Sequence, residues 1–292
     1  MAKTSEYNYE NIFSKYQLIK KQKTPKNNKK KKEENKMIGV ILAAGMGTRL
    51  RPLTDNIPKA LLEINNVTLL ERMIKNCIDA GMNKFIVLVG YKKETVEEIC
   101  PKIAEKYDIE ITVLENEKYD VTNTSVSTYI ASKYIEENDK DDFILVNGDN
   151  VVDPKIISRL AETNNTGMIV DNFKDLNEES FKLIIANESF NEDNSIANGK
   201  IEDIGKGLDI PSSSGEFIGV SKVVKDDLTQ FNRILEEKIE EDPQNYYDFA
   251  YKDLSEITII DYVMTNGLKW TEIDDHTDWE NAQLLVEELE RK

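Results

Sequence analysis

The sequence predicts an α/β protein built on a mostly parallel, doubly wound sheet. Three observations carry that expectation. From residue 37 onward short apolar runs alternate with amphipathic stretches, the apolar runs are apolar on both alternating positions, and the connections between the two kinds of segment are short. The strand candidates in this part are "MIGVILAA", "KFIVLVG", "IEITVLEN", "DFILVNGD" and "TGMIVDN". Helical patterns fall between them. In "TLLERMIKNCIDAG" the residues Leu69, Leu70, Met73, Ile74, Cys77 and Ile78 keep to one stripe; Thr68 is placed to cap the start and Gly81 to close the end. "KETVEEICPKIAEKY", "NTSVSTYIASKYIEEN" and "DPKIISRLAETNN" follow the same pattern.

After about residue 172 the pattern changes. "FKLIIAN", "GKIEDIGKG" and "GEFIGVSKV" read as strands joined by turns, an antiparallel excursion or lid. "DDLTQFNRILEEKIEED" and "LSEITIIDYVMTNG" then read as long helices, "LKWTEID" as a short strand, and "TDWENAQLLVEELERK" as a terminal helix. No repeat or linker interrupts residues 37–292, which are expected to form one domain with an inserted or appended substrate-binding part. Residues 1–36 differ. They hold eleven Lys against four Glu, a net +7, and "KKQKTPKNNKKKKEENK" lacks apolar periodicity, so a disordered Lys-rich tail is expected. The alternative for this tail is an electrostatic tether to an anionic membrane or RNA, and "YNYENIFSKYQLIKK" before it fits a short amphipathic helix.

Composition excludes several functions. With 39% hydrophobic and 8% aromatic residues the chain can bury an ordinary globular core. The total charge of −17 leaves −24 on residues 37–292, which argues against a nucleic-acid binder. No apolar run approaches membrane-spanning length and no secretory h-region is present, so a cytoplasmic location is expected. The two cysteines, Cys77 and Cys100, show no CxxC spacing and are expected as buried, reduced thiols. A single histidine, His276, gives His-based triads and His-rich zinc sites poor odds.

The chemistry-bearing stretch is "LAAGMGTRLRPLTDNIPKALLEI", residues 42–64. A strand ends in small residues, and glycines two apart let backbone N–H groups approach a polyphosphate. The dinucleotide fingerprint needs a third glycine where Leu50 stands, and the Walker pattern is absent. What remains is G-x-G-x-R, with Arg49 able to hold outer phosphates and Lys59 able to stabilise charge at the reacting phosphorus. Taken alone, the two glycines fit a tight strand-to-helix turn equally well. In "DFILVNGDN" an apolar strand delivers Asp149 at its carboxyl end, where an open α/β sheet binds ligands. A carboxylate there can hold Mg²⁺ against a triphosphate or merely cap the next turn.

Gly45, Gly47, Arg49, Pro58 and Lys59 together resemble the N-terminal signature of the sugar-nucleotide pyrophosphorylase superfamily. The resemblance extends from residue 37 to about 282 and is strongest in its first third. It implies a three-layer α/β/α Rossmann-like nucleotide-diphospho-sugar transferase fold with a mixed sheet. It also implies a Mg²⁺-dependent nucleotidyl transfer from an NTP to a phosphorylated small molecule, with catalysis by Arg49 and Lys59. Leu42, Ala43, Ala44, Gly45, Gly47 and Thr48 would then line the nucleotide together with Arg49, Lys59 and Asp149. In "KWTEIDDHTDWENA" the resemblance makes Asp274 the second metal ligand beside Asp149. Asp275 and Asp278 fit better as turn and N-cap residues, and His276 is expected to face solvent. The acceptor is already an oxyanion near pH 7, so no general base is expected.

Within the superfamily, "ENEKYDVTNTSVSTYIAS" resembles the base-contacting segment of phosphocholine and 2-aminoethylphosphonate cytidylyltransferases, with Asn116, Tyr119, Asn123 and Ser125 at the matching positions; "DVTN" is equally a good helix cap. "GYKKE" recurs in that group. CTP is therefore the favoured nucleotide. "FKLII", "GKIEDIGKGLD" and "GEFIGVSKV" resemble acceptor-side strands of the aminoethylphosphonate and inositol-1-phosphate cytidylyltransferases. There Lys182 and Lys206 are candidates for the acceptor's phosphate and Glu216 for its amine or hydroxyl, although each is equally readable as a solvated charge. Asp248, among Tyr246, Tyr247, Phe249 and Tyr251, fits an ammonium pocket or a helix with aromatics in the core. The alternatives to a cytidylyltransferase are a sugar-1-phosphate uridylyl- or thymidylyltransferase and a catalytically silent nucleotide-sensing subunit. Homo-oligomerisation stays open.

Overall fold

The computed structural model describes residues 18–22 and 37–291. Ile38–Ala43 (β2) is buried along almost its whole length and takes a parallel neighbour on each edge, Lys84–Val89 (β5) and Phe143–Asn147 (β7). Glu110–Glu115 (β6) adds a further parallel strand beyond β5. Leu69–Asp79 (α1), Lys93–Tyr107 (α2), Thr124–Asn138 (α3) and Pro154–Ala161 (α4) alternate with these strands. The expected caps are present: the Thr68 hydroxyl accepts from the Glu71 N–H at 3.1 Å, and Gly81 closes α1 with φ 95°.

The antiparallel part begins with Thr166–Asp171 (β9), Lys182–Phe190 (β10), Ile196–Gly205 (β11) and Gly215–Val223 (β12). β12 pairs with β9 along one edge and shares its other edge between β7 and β10. Leu228–Glu241 (α5) and Phe249–Leu254 (α6) follow. Sequence periodicity reads a second long helix through "TIIDYVM", but Ile260–Met264 is a strand (β13), parallel to β9 and buried at every position. Asp261 alone interrupts its apolar run and is buried with the rest, which suits a strand covered on both faces, and helix α6 stops short of it. Strands β12, β9, β13, β11 and β10 thereby close on one another. Last come Trp270–Glu272 (β14), paired with Asn150–Val152 (β8), and the terminal helix His276–Glu290 (α7).

The ten-stranded sheet is mixed and covered on both faces. Helices α3, α5 and α6 pack on one side with Tyr129, Phe231 and Tyr251; α1, α2 and α4 pack on the other with Met73, Cys100 and Ile157. A third cluster, Leu50, Leu69, Val151, Ile273, Ala282 and Val286, joins α7 to the loop after β2. Cys77 and Cys100 are buried, and burial pushes both thiols up to about 12. Within the stretch expected to be a disordered tail, Leu18–Gln22 (β1) pairs antiparallel with β6. An edge strand carries unpaired amides, and an extended segment satisfies them. The rest of that tail, with most of its expected helix and its lysine run, lies outside the described residues. Among the described residues, no helix is long and apolar enough to cross a membrane.

Candidate active site

The loop after β2 is shaped by glycine and fixed by side chains. Gly47 sits at φ 59°, a conformation that disfavours a side chain, and a Cβ there would press within 3.1 Å of both Lys59 and Thr54. The buried Thr54 hydroxyl donates to the Gly47 carbonyl at 2.7 Å, and the Tyr91 N–H donates to the Ala44 carbonyl at 3.2 Å. Leu50, fully buried, anchors the far end of the loop in the cluster under α7. At the end of the neighbouring strand β7, the Gly148 N–H donates to the Leu42 carbonyl at 2.9 Å, and a Cβ on Gly148 would run into that same oxygen. The phosphate-loop candidate and Asp149 therefore emerge side by side at the carboxyl ends of two adjacent parallel strands.

Residues far apart in sequence converge on Lys59. Its Nζ lies 2.7 Å from Asp149 Oδ2 and 3.1 Å from Asp274 Oδ1, and donates to the Ile273 carbonyl at 2.8 Å. Arg49 takes the other oxygen of Asp274 at 2.9 Å. The strand pair β8–β14 makes this possible: Asn150 lies opposite Glu272, and the Ile273 N–H donates to the Asp149 carbonyl at 3.1 Å. Burial works to lower the Lys59 pKa, but the two carboxylates more than offset it and the ammonium is held above its ordinary value. For Asp274, burial works upward while Lys59 and Arg49 pull the carboxyl below its ordinary value. Glu272, missed in the sequence, is the third acid here. Burial, then repulsion from Asp149 and Asp274, pushes it up to about 8 against the opposing pull of Lys59.

The donor set fits Mg²⁺. Asp149 Oδ1 is buried with no hydrogen-bond partner among the described residues, and Asp274 faces the same point with a second hard oxygen group. Among the described residues, no group of three or more His, Cys, Asp or Glu is arranged to hold a metal, so phosphate oxygens and water would complete the coordination sphere. Asp275 and Asp278 form the capping box of α7, as expected, and the exposed His276 ring contacts the Arg51 carbonyl at 3.0 Å.

A cleft of about 160 Å³ opens beside Asp149. Its walls include Leu42, Ala44, Gly45, Asn116, Tyr119 and Asn123 from the expected set, and Thr122, Thr124, Ser127, Asn147 and Gly148 besides. Asn116 is buried and bonded within the protein: its amide donates to Thr122 and Ser127, and its oxygen accepts from the Lys118 N–H. The Asn123 oxygen accepts from Thr124 N–H and caps α3. Ser125 is buried on α3 and does not line the cleft. The acceptor candidates are brought together only in part. Lys182 and Lys206 line a separate hollow of about 610 Å³. The Lys182 ammonium is buried and donates to the carbonyls of Asn177 at 2.8 Å and Ser180 at 3.1 Å, while Lys206 pairs with Glu179 at 3.1 Å on the surface. Glu216 lies opposite Lys182 across β10–β12 and within electrostatic reach of Glu272, and burial raises its pKa. Asp248 is buried beside Tyr247 at the start of α6, and burial pushes it up to about 7. Lys174 is a further unforeseen cation, 3.7 Å over the Trp270 ring and donating to its carbonyl at 2.6 Å.

A family model described as Nucleotidyl transferase matches residues 38–202, more than half of the chain. The chain belongs to this family. Over 114 residues this nucleotidyl transferase family member is 37% identical to the choline-phosphate cytidylyltransferase of Streptococcus pneumoniae, covering 38% of this chain and 47% of that relative. It is 35% identical over 102 residues to the 2-aminoethylphosphonate cytidylyltransferase of Lancefieldella rimae, covering 35% of this chain and 39% of the relative. The chain thus spans less than half the length of these curated relatives. Among solved structures, the inositol-1-phosphate CTP transferase from T. maritima superposes with a TM-score of 0.69 at 20% identity, over 86% of this chain and 95% of the other. The likeness confirms the expected fold of the family.

Proposed function

We propose that the protein transfers CMP from CTP to a phosphorylated or phosphonylated small alcohol or amine, releasing pyrophosphate, with Mg²⁺ held by Asp149 and Asp274. The observation that carries this reading is the convergence of Lys59, Arg49 and Asp274 with Asp149, which itself lines a cleft walled by Gly45. When bound, Mg²⁺ supplies charge neutralisation to the triphosphate. The chain's own residues do the rest. Backbone around Gly45 and Gly47 admits the phosphates closely, Arg49 holds the leaving pyrophosphate, and Lys59, cationic throughout the physiological range, stabilises charge at the α-phosphorus. The acceptor brings its own nucleophilic oxyanion, so the absence of a histidine from the cleft walls is no obstacle.

CTP is favoured because the curated relatives that act on choline phosphate and 2-aminoethylphosphonate are named cytidylyltransferases. The test is a matrix of the four NTPs against phosphocholine, 2-aminoethylphosphonate, inositol-1-phosphate and glucose-1-phosphate, with pyrophosphate release as the signal. Release with CTP and one of the first three acceptors is expected. Release only with UTP or dTTP and the hexose phosphate would move the protein to the sugar branch, and CTP binding with no release from any pair would sink the enzyme reading.

A further inference from the structure

Three of the four carboxylate oxygens of Asp149 and Asp274 are taken by the cations of the site, and Asp149 Oδ1 alone has no partner among the described residues. Lys59 Nζ lies between the two carboxylates assigned to the metal, within 3.1 Å of both, and a main-chain carbonyl takes a further donor. Arg49 closes the remaining oxygen of Asp274. Two positive and two negative groups therefore form a neutral quartet, and the ammonium bridges the two carboxylates assigned to the metal. We infer that Lys59 is a resident competitor for the metal, so that free Mg²⁺ binds poorly while the ammonium holds both carboxylates. This rests on the nucleotidyl-transfer reading for the identity of the ligand.

The physical case is an exchange of partners. A partly buried carboxylate gives up an ammonium and gains a metal ion; the ammonium and guanidinium give up carboxylates and gain phosphate oxygens. No charge is left uncompensated at the end of that exchange. Free Mg²⁺ offers only half of it. It would take Asp149 and Asp274 but leave Lys59, which is only 14% exposed in its side chain, with no anion. Lys59 is held at this point by the Ile273 carbonyl as well as by the acids, so its position does not depend on charge alone.

The experiment is Mn²⁺ binding measured by electron paramagnetic resonance on the full chain without nucleotide. Wild type should bind weakly, Lys59→Met should bind at least about tenfold more tightly, one decade in Kd, and Lys59→Arg should stay as weak as wild type. Thermal melting gives a second reading: Mn²⁺ should raise the midpoint of Lys59→Met by more than that of wild type, because a ligand that binds the native state stabilises it in proportion to its affinity. If Lys59→Met does not fold, Lys59→Gln takes its place in both measurements. Unchanged or weaker Mn²⁺ binding in the neutral variant overturns the inference. Failure of the nucleotidyl-transfer reading shows itself differently, as no pyrophosphate release by wild type with any substrate pair.

Discussion

At Lys59 burial disfavours the ammonium and two carboxylates favour it, and the carboxylates prevail. The charge is thus fixed where the proposed reaction would place the phosphorus centre. Lys59→Ala should lower turnover by at least about a hundredfold, the scale of losing one preorganised charge, while circular dichroism stays native; a variant of near-normal turnover would remove Lys59 from catalysis. The residues around it differ in how readable they were. Gly45, Gly47, Arg49 and Lys59 lie within one short stretch, so residue type and spacing reinforced each other. Asp274 needed the family resemblance, since the β8–β14 pairing that brings it to Asp149 leaves no local mark. Glu272 and Lys174 gave no signal, because a lone acid in a strand and a lone lysine in a loop are ordinary until the fold buries them beside other charges. Lys182, a candidate through the resemblance alone, is buried, and its ammonium donates to the carbonyls of the 177–180 turn, an arrangement with no local mark in the sequence.

At the scale of elements, strands β2 and β7 place the site through a backbone contact too close to admit a side chain. Gly148→Ala should cost more than about 2 kcal/mol, since the added Cβ meets the Leu42 carbonyl and not the flexible end of a side chain. Urea unfolding measures it, and a midpoint unchanged from wild type would show that the turn relaxes freely. The capping box of α7 couples a helix end to the chemistry, because the Asp278 carboxylate accepts from the N–H groups of Asp274 and Asp275. Asp278→Ala should lower stability by about 1 kcal/mol, as lost caps do, and raise the KM for the nucleotide several-fold through the loosened Asp274. A fall in stability with KM untouched would separate the cap from the site. Most elements were legible because their apolar period was sustained or their caps were explicit. Two strands run against the expectation: β1 falls in a stretch whose lysines read as a tail, and β13 reads as helix because "TIIDYVM" is apolar but for Thr258 and Asp261, and periodicity cannot tell a fully buried strand from a buried helix.

Across the whole molecule, one buried acid ties stability to pH. Asp248 lies where α6 meets the antiparallel strands, among Tyr247, Tyr251 and Phe217, and burial lifts it to about 7 from an ordinary value of 3.8. In the unfolded chain the carboxyl ionises near 3.8; in the folded chain it keeps its proton until about 7. Between those values the native state binds more protons than the unfolded state, so the contribution of Asp248 to stability falls as pH rises through this window and is constant above it. A shift of this size corresponds to a few kcal/mol, at about 1.4 kcal/mol per unit of pKa. Asp248→Asn keeps the shape and removes the titration. Wild type should therefore lose stability relative to Asp248→Asn as the pH is raised from about 4 to about 7, and the two curves should run parallel above that. Denaturant unfolding at a series of pH values decides it. Parallel curves throughout would mean that Asp248 ionises as it does in water, with its charge met by groups that burial alone does not suggest. Because the acid lies beneath the aromatic cluster and not on the walls of the cleft beside Asp149, the same substitution should leave the KM for the nucleotide unchanged, which separates this stability effect from the chemistry proposed at Lys59.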